Sequence, residues 1–200
     1  MGTLTPPLAT SYPISLQPQG VVGGAQIGCN QQFDNRWVLG LETDFQGSAQ
    51  KASNGFSAIN TIGEGFSGTV EAKILWFGTV RGRAGVLVTP TILMYGTGGL
   101  AYGKVSVSST ITGTGLPAQP FGTTATTSVG DSETKFGWTL GAGVEGAFPN
   151  SSNWTWKLEY LYIDLGSLSG AGTDAIIGPY SWSAKITDNI VRVGVNYKFY

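Results

Sequence analysis

The chain has 200 residues, enough for one domain or one barrel of modest size, and a net charge of −1. Charged residues make up only 12%, roughly half the share usual in soluble domains. There is no His and a single Cys, Cys29. That excludes Ser-His and Cys-His nucleophiles, His/Cys metal sites and an internal disulfide, and no basic stripe invites a nucleic acid.

The first twenty residues, MGTLTPPLATSYPISLQPQG, have neither a basic start nor an unbroken apolar run, so the chain as written shows no recognisable signal peptide. No later stretch approaches the roughly 18 apolar residues of a transmembrane helix. From residue 21 a different pattern begins. VVGGAQIGCN (21–30) is a Gly-rich alternating run, closed by a short turn around Asp34 and Asn35. WVLGLETDFQ (37–46) puts Leu39, Leu41 and Phe45 on one face and Val38, Glu42 and Asp44 on the other. Such alternation marks a β-strand, whose side chains point to opposite faces with period two.

A long polar segment, about 47–68, follows and reads as a loop. AKILWFGTVRGRAGVLV (72–88) places Ile74, Trp76 and Val80 opposite Lys73, Phe77, Arg81 and Arg83. After a short Thr89-Pro90 turn, ILMYGTGGLAYGKVSVS (92–108) carries Lys104 on the face of Tyr102 and Ser106. A second polar segment spans about 109–133. KFGWTLGAGVEGAF (135–148) sets Phe136, Trp138, Leu140 and Val144 against Lys135, Thr139 and Glu145. NWTWKLEYLYIDLG (153–166) lines up Trp154, Trp156, Leu158, Tyr160 and Tyr162 against Lys157, Glu159, Leu161 and Ile163. A third polar segment covers about 167–185. NIVRVGVNYKF (189–199) ends the series, with Val191, Val193 and Val195 opposite Arg192, Asn196 and Lys198.

Short turns and long polar segments alternate, the strands are long, and charge keeps to one face. Together these predict an all-β, antiparallel up-and-down transmembrane barrel with short periplasmic turns and long external loops. A charge on the lipid face at mid-membrane costs about 2–4 kcal/mol, so the aromatic face is expected outside and the charged face inside. The expected lumen then holds Lys73, Arg81, Arg83, Lys104, Lys135, Lys157, Arg192 and Lys198 with Glu42, Asp44, Glu145 and Glu159, a surplus of four positive charges. Val38 should share this inner face, and Leu39, Leu41, Trp76, Val80, Leu140, Leu158 and Val193 should face out. The loop acids Glu64, Asp131, Glu133 and Asp174 are expected to make the external end negative.

The four inward carboxylates could be read as catalytic acids, but they share the lumen with twice as many cations. A salt-bridge network is the better reading, because buried charges persist only when paired. GTGG (96–99) lacks the following Lys-Ser/Thr of a phosphate loop and reads as strand glycine. The sequon-like NSS and NWT (150–155) read as turn chemistry. No catalytic residue, cofactor or metal is expected.

The stretches VVGGAQIGCNQQFDNRWVLGLETDFQGS, WFGTVRGRAGVLVTPTILMYGTGGLAYG, GWTLGAGVEGAFPNSSNWTWKLEYLYIDLG and VRVGVNYKF resemble the small outer-membrane porin and outer-membrane immunogenic protein family of alphaproteobacteria, in the OmpA-like β-barrel group. The resemblance covers about residues 20–199. It implies an eight-stranded barrel in the outer membrane of a Gram-negative cell, serving as a structural protein and surface antigen with a weak porin role. An inner surplus of positive charge would make such a pore anion-preferring. A soluble lipocalin-like barrel for an apolar ligand is the alternative, disfavoured by the charged inner face.

Family members open with a signal peptide and a first strand, and neither is recognisable before Gly20. The expectation is therefore a divergent N-terminal segment or external loop remnant over 1–20, a barrel domain over 21–200, and a first strand that is missing or divergent. An open or strained seam is expected between the 21–30 and 189–199 strands. The family's terminal aromatic, an assembly signal, corresponds to Tyr197, Phe199 and Tyr200. The implied partners are outer-membrane lipid and lipopolysaccharide and the barrel assembly machinery, with the chain monomeric or weakly oligomeric.

Overall fold

Alternating apolar and polar residues can hydrogen-bond their backbones only to neighbouring strands, and this sequence does so almost throughout. The computed structural model describes residues 13–16, 18–34, 36–59, 65–114, 124–151, 153–174 and 178–199. A short strand β1 (Pro13–Leu16) precedes seven long ones. These are β2 (Val22–Phe33), β3 (Trp37–Ile59), β4 (Gly65–Thr89), β5 (Ile92–Thr114), β6 (Thr124–Ala147), β7 (Trp154–Asp174) and β8 (Gly178–Tyr197). From β2 to β8 each strand pairs antiparallel with the next. The turns joining β2–β3, β4–β5 and β6–β7 are short and lie at one end. Asp34 and Asn150 take positive φ there, 47° and 62°, a conformation Asp and Asn tolerate better than most residues.

The sheet is not closed by backbone pairing among the described residues. β2 pairs only with β3, and β8 with β7. β1 adds to β8 in parallel, Pro13 opposite Ser183 through Leu16 opposite Ile186, rather than bridging β8 to β2. The two edges do meet through side chains: Gln26 Nε2 donates to Asn196 Oδ1 at 2.6 Å. β2 and β8 are six antiparallel steps apart and so run in the same direction, as odd-numbered meanders must. A second parting lies higher up. β6 pairs with β7 only from Trp138 to Ala147. Past a bulge between Asp164 and Ser167, where Gly166 has a φ of 77°, β7 stays with β8 and β6 with β5.

The polar segments expected as long loops are instead mostly strand. β3 to β8 run for 20 to 25 residues. At about 3.3 Å per residue this is roughly 65–80 Å, far more than the apolar band of about 25 Å requires. Ser, Thr and Gly with period-two spacing can extend a ladder into water because neither face needs burial. Of the acids expected at that end, Glu133 is exposed. Glu64 lies outside the described residues, as do the side chains of Asp131 and Asp174.

The two faces differ sharply. Outside stand Leu41 at 62% exposure, Leu100 at 68%, Leu140 at 60% and Val193 at 81%, while Arg81 and Glu159 are each 1% exposed within. Leu39, Val80 and Leu158 are also exposed, and Trp76 is half-buried on the same face. The single thiol, Cys29, pairs with Leu41 and is exposed on β2.

A charge placed on this belt should be costly. Leu41→Arg and Leu140→Arg should each destabilise the protein by about 2–4 kcal/mol in urea unfolding from lipid bilayers, whereas Ser106→Arg, above the belt, should cost about 0–1 kcal/mol.

Candidate functional site

Seven curled strands leave a narrow interior, and a row of β4 residues fills its middle. Arg81 reaches across it. Its Nη2 donates to Glu42 Oε1 and, at 2.9 Å, to Asp44 Oδ2, both from β3. Its Nη1 donates to Glu159 Oε1 of β7 at 3.1 Å. Arg192 of β8 closes the ring, with Nε 2.6 Å from Glu159 Oε2 and Nη2 2.8 Å from Asp44 Oδ2. Lys157 Nζ donates to Glu42 Oε1 at 3.0 Å. One turn of the cluster nearer the short connections, Arg83 Nη2 donates to Glu145 Oε2 at 2.9 Å, and Thr155 Oγ1 to Glu145 Oε1 at 2.9 Å. Strands that are not sheet neighbours thus touch through their inner faces, which is what an enclosed lumen requires.

Room for these long side chains comes from glycine at the facing positions, an alternation of large and small that suits small barrels. Gly99 pairs with Arg81, and a Cβ there would lie 2.7 Å from the Arg81 Cα. The Tyr95 ring lies over Gly143, where a Cβ would come within 2.5 Å of the Tyr95 hydroxyl oxygen. Placed so, Tyr95 OH donates to Glu159 Oε1 at 3.0 Å, and the Arg83 guanidinium sits 3.9 Å from the ring centroid. Above the charges the lumen is apolar. Ile74, Phe77, Val105, Leu161, Ile163 and Ile186 are buried in one cluster, beside a Gln50 Nε2 to Asp188 Oδ2 hydrogen bond of 2.6 Å.

Eight of the twelve residues expected in the lumen meet in this network: Arg81, Arg83, Lys157 and Arg192 with Glu42, Asp44, Glu145 and Glu159. Val38 is buried on the same side. Lys73 and Lys104 are not in the lumen. β4 bulges at Leu75, between the Ile74–Val105 and Trp76–Lys104 pairs, and the extra residue exchanges the faces of everything before it. Ile74 and Ala72 therefore turn inward and Lys73 outward, where Nζ meets Glu71 Oε1 at 2.7 Å. Lys104 belongs to the outer face because its own strand buries Ala101, Val105 and Val107. Lys135 and Lys198 share the inner strand faces but stay apart from the cluster. Lys135 pairs with Glu133 at 2.9 Å, and Lys198 is exposed at the short-turn end. The network holds four cations against four anions, and among the described residues Asp164 and Asp188 are buried as well, so the expected cationic surplus is not inside.

Tyr95, Gln50 and Asp188 were not anticipated: reading Lys104 inward puts the odd-numbered Tyr95 and Thr97 outside, and the structure buries both. At the C-terminal end Trp154 and Tyr197 stack edge-on at 5.1 Å and Tyr197 and Phe199 at 5.0 Å. Tyr200 lies outside the described residues. Two ion pairs stand above the apolar belt. Hydrogen bonding and the charge of Lys73 hold the Glu71 carboxyl below its ordinary range, and a hydrogen bond to Asp164 raises the Lys185 ammonium.

An antiparallel sheet with an apolar exterior belt, a neutralised charged interior and tall polar strands defines an outer-membrane β-barrel. The chain matches the family of outer membrane protein beta-barrel domains over residues 11–199, and it belongs to that family. It is 46% identical to a 31 kDa outer-membrane immunogenic protein of Brucella melitensis, over 90% of this chain and 67% of that one. It is 34% identical to a 22 kDa outer membrane protein of Rhizobium leguminosarum bv. viciae, again over 90% and 67%. Among solved structures it aligns with Ail, the attachment invasion locus protein of Yersinia pestis, with a TM-score of 0.41, 15% identity, and coverage of 88% and 82%. Its family and its named relatives make the protein an outer-membrane β-barrel.

Arg81→Met should destabilise the fold by about 3–5 kcal/mol, since it takes one cation from three buried carboxylates and leaves the lumen with excess negative charge; unfolding of the variant in detergent measures this. Adding Glu159→Gln should recover part of the loss. Gly143→Ala should cost about 1–3 kcal/mol by displacing the Tyr95 ring.

Proposed function

We propose that this barrel serves as a structural, non-enzymatic protein of the outer membrane that displays its tall external strands at the cell surface, with its lumen closed. The observation that carries this reading is the Arg81 guanidinium, which bridges carboxylates of β3 and β7 across the interior. Above it the apolar cluster around Phe77 and Leu161 forms a second barrier. Surface display draws support from the relatives named outer-membrane immunogenic proteins, one of which, from Brucella abortus, is 29% identical over 95% of this chain. The aromatic end formed by Tyr197 and Phe199 suits recognition by the barrel assembly machinery.

A weak anion-preferring pore is the second reading. The four cations of the network meet four anions, and Asp188 is buried above them, so this reading has no electrostatic support: anion selectivity needs an excess of fixed positive charge along the path. The soluble lipocalin-like alternative conflicts with the exposed belt of Leu41, Leu100, Leu140 and Val193.

Planar-bilayer recording decides between the closed and conducting readings. The wild-type protein should show no steady single-channel current, and Arg81→Ala combined with Phe77→Ala should raise the frequency of openings. A steady, anion-selective wild-type conductance would overturn the closed lumen. Recovery of folded protein from buffer without detergent would overturn the membrane barrel itself.

A further inference from the structure

The β4 bulge that removes Lys73 from the lumen assembles something on the outside. Lys51 of β3 stands directly opposite Lys73 of β4, and Lys104 of β5 lies on the neighbouring strand, paired with Trp76. All three are on the outer face, Lys51 exposed and the other two half-buried. Like charges directly opposite each other in a sheet are destabilising, so this pair calls for an anion. Glu71 is engaged with Lys73 at 2.7 Å. Lys51 and Lys104 make no ion pair among the described residues.

The position of the patch says where the anion comes from. Immediately beneath it a chain of rings crosses four strands: Phe45–Trp76 at 5.4 Å, Trp76–Tyr102 at 6.3 Å and Tyr102–Phe136 at 6.5 Å. Below the rings the outer face is lipid-facing Val80, Leu100 and Leu140. Aromatic girdles mark the membrane–water boundary, and this one lies at the end away from the short turns, hence in the outer leaflet. The lysines thus sit at headgroup depth. Strands about 4.8 Å apart spread the three ammonium groups over roughly 10 Å or more, wide enough for more than one phosphate.

We propose that Lys51, Lys73 and Lys104 form a binding site for the phosphates of an outer-leaflet glycolipid of the lipid A class, a phosphorylated and acylated disaccharide. One phosphate bridges Lys51 and Lys73, a second reaches Lys104, and the acyl chains descend over Phe45, Val80 and Leu100. Unlike a phospholipid, such a headgroup offers several phosphates at once. The proposal rests on the barrel lying in the outer membrane with the short turns on the periplasmic side.

The test is native mass spectrometry of the refolded full chain in neutral detergent, titrated with bisphosphorylated lipid A, dephosphorylated lipid A and phosphatidylglycerol. Bisphosphorylated lipid A should bind roughly tenfold or more tighter than the other two, given the contribution of each Lys at an anionic surface. The K51Q/K73Q/K104Q variant should lose at least that factor, while K185Q/K198Q should bind as the wild type does. Equal binding of all three lipids, or an unaffected triple variant, overturns the site. Should the triple variant not refold, K104Q alone should weaken binding about threefold, and an unchanged affinity overturns the proposal. Heat-dependent gel mobility separates the two levels: a wild-type chain with no folded form in lipid fails the barrel reading rather than this site.

Discussion

In a lumen too narrow for bulk water, a guanidinium persists only where carboxylates meet it, and much of this structure follows from that requirement at Arg81. Removing a charge from water costs several kcal/mol, which is offset only by close, well-oriented partners. Glu42 and Asp44 must therefore share a face of β3, which their spacing of two provides. Glu159 must come from β7 on the far wall, which fixes how tightly the sheet curls. Gly99 opposite Arg81 and Gly143 opposite Tyr95 give these side chains their space. Neutrality then limits what else can enter: four cations already meet four anions, and the remaining lysines stand outside the cluster.

The exterior answers to a different solvent. In the bilayer no water serves backbone N–H and C=O groups, so every residue at that depth must find a neighbouring strand. Above the ring of Phe45, Trp76, Tyr102 and Phe136 water is available again. The parting of β6 from β7 begins at the level of that ring, past the Trp138–Asp164 pair. Below that level the ladder from β2 to β8 is continuous, and the seam between β2 and β8 is the place where the described residues meet through side chains instead.

The sequence was most legible where period two ran unbroken. Trp154 to Ile163 alternate without fault, and their outer and inner faces are where that alternation assigns them. The same logic failed at Lys73, because one extra residue at Leu75 inverts the strand and nothing in AKILWF marks it. It also passed over the polar stretches around residues 50–59 and 109–114, where low hydropathy was taken for loop although Ser and Thr pair readily in water-facing strands. Lumen charge was overcounted for a related reason: composition reports which residues are charged, not which are level with one another. Ile74 and Val105 were missed as inner residues because the unmarked bulge and the inward reading of Lys104 set both outside, whereas Leu161 stands on the inner face that alternation assigns.

The seam between β2 and β8 has a kinetic side. From β2 to β8 every strand pairing joins neighbours in the chain, so each hairpin closes a small loop at modest entropic cost. The Gln26–Asn196 hydrogen bond spans 170 residues. Contacts of such high sequence separation are the slow ones to form, since chain entropy is lost before they return any energy. Between β2 and β8 that contact is a pair of side chains, while β1 adds a four-residue parallel ladder to β8 over the same separation. Shutting the cylinder at this seam thus rests on side chains, the Gln26–Asn196 bond and the Arg192 pairs to Glu42 and Asp44, rather than on a backbone ladder between β2 and β8.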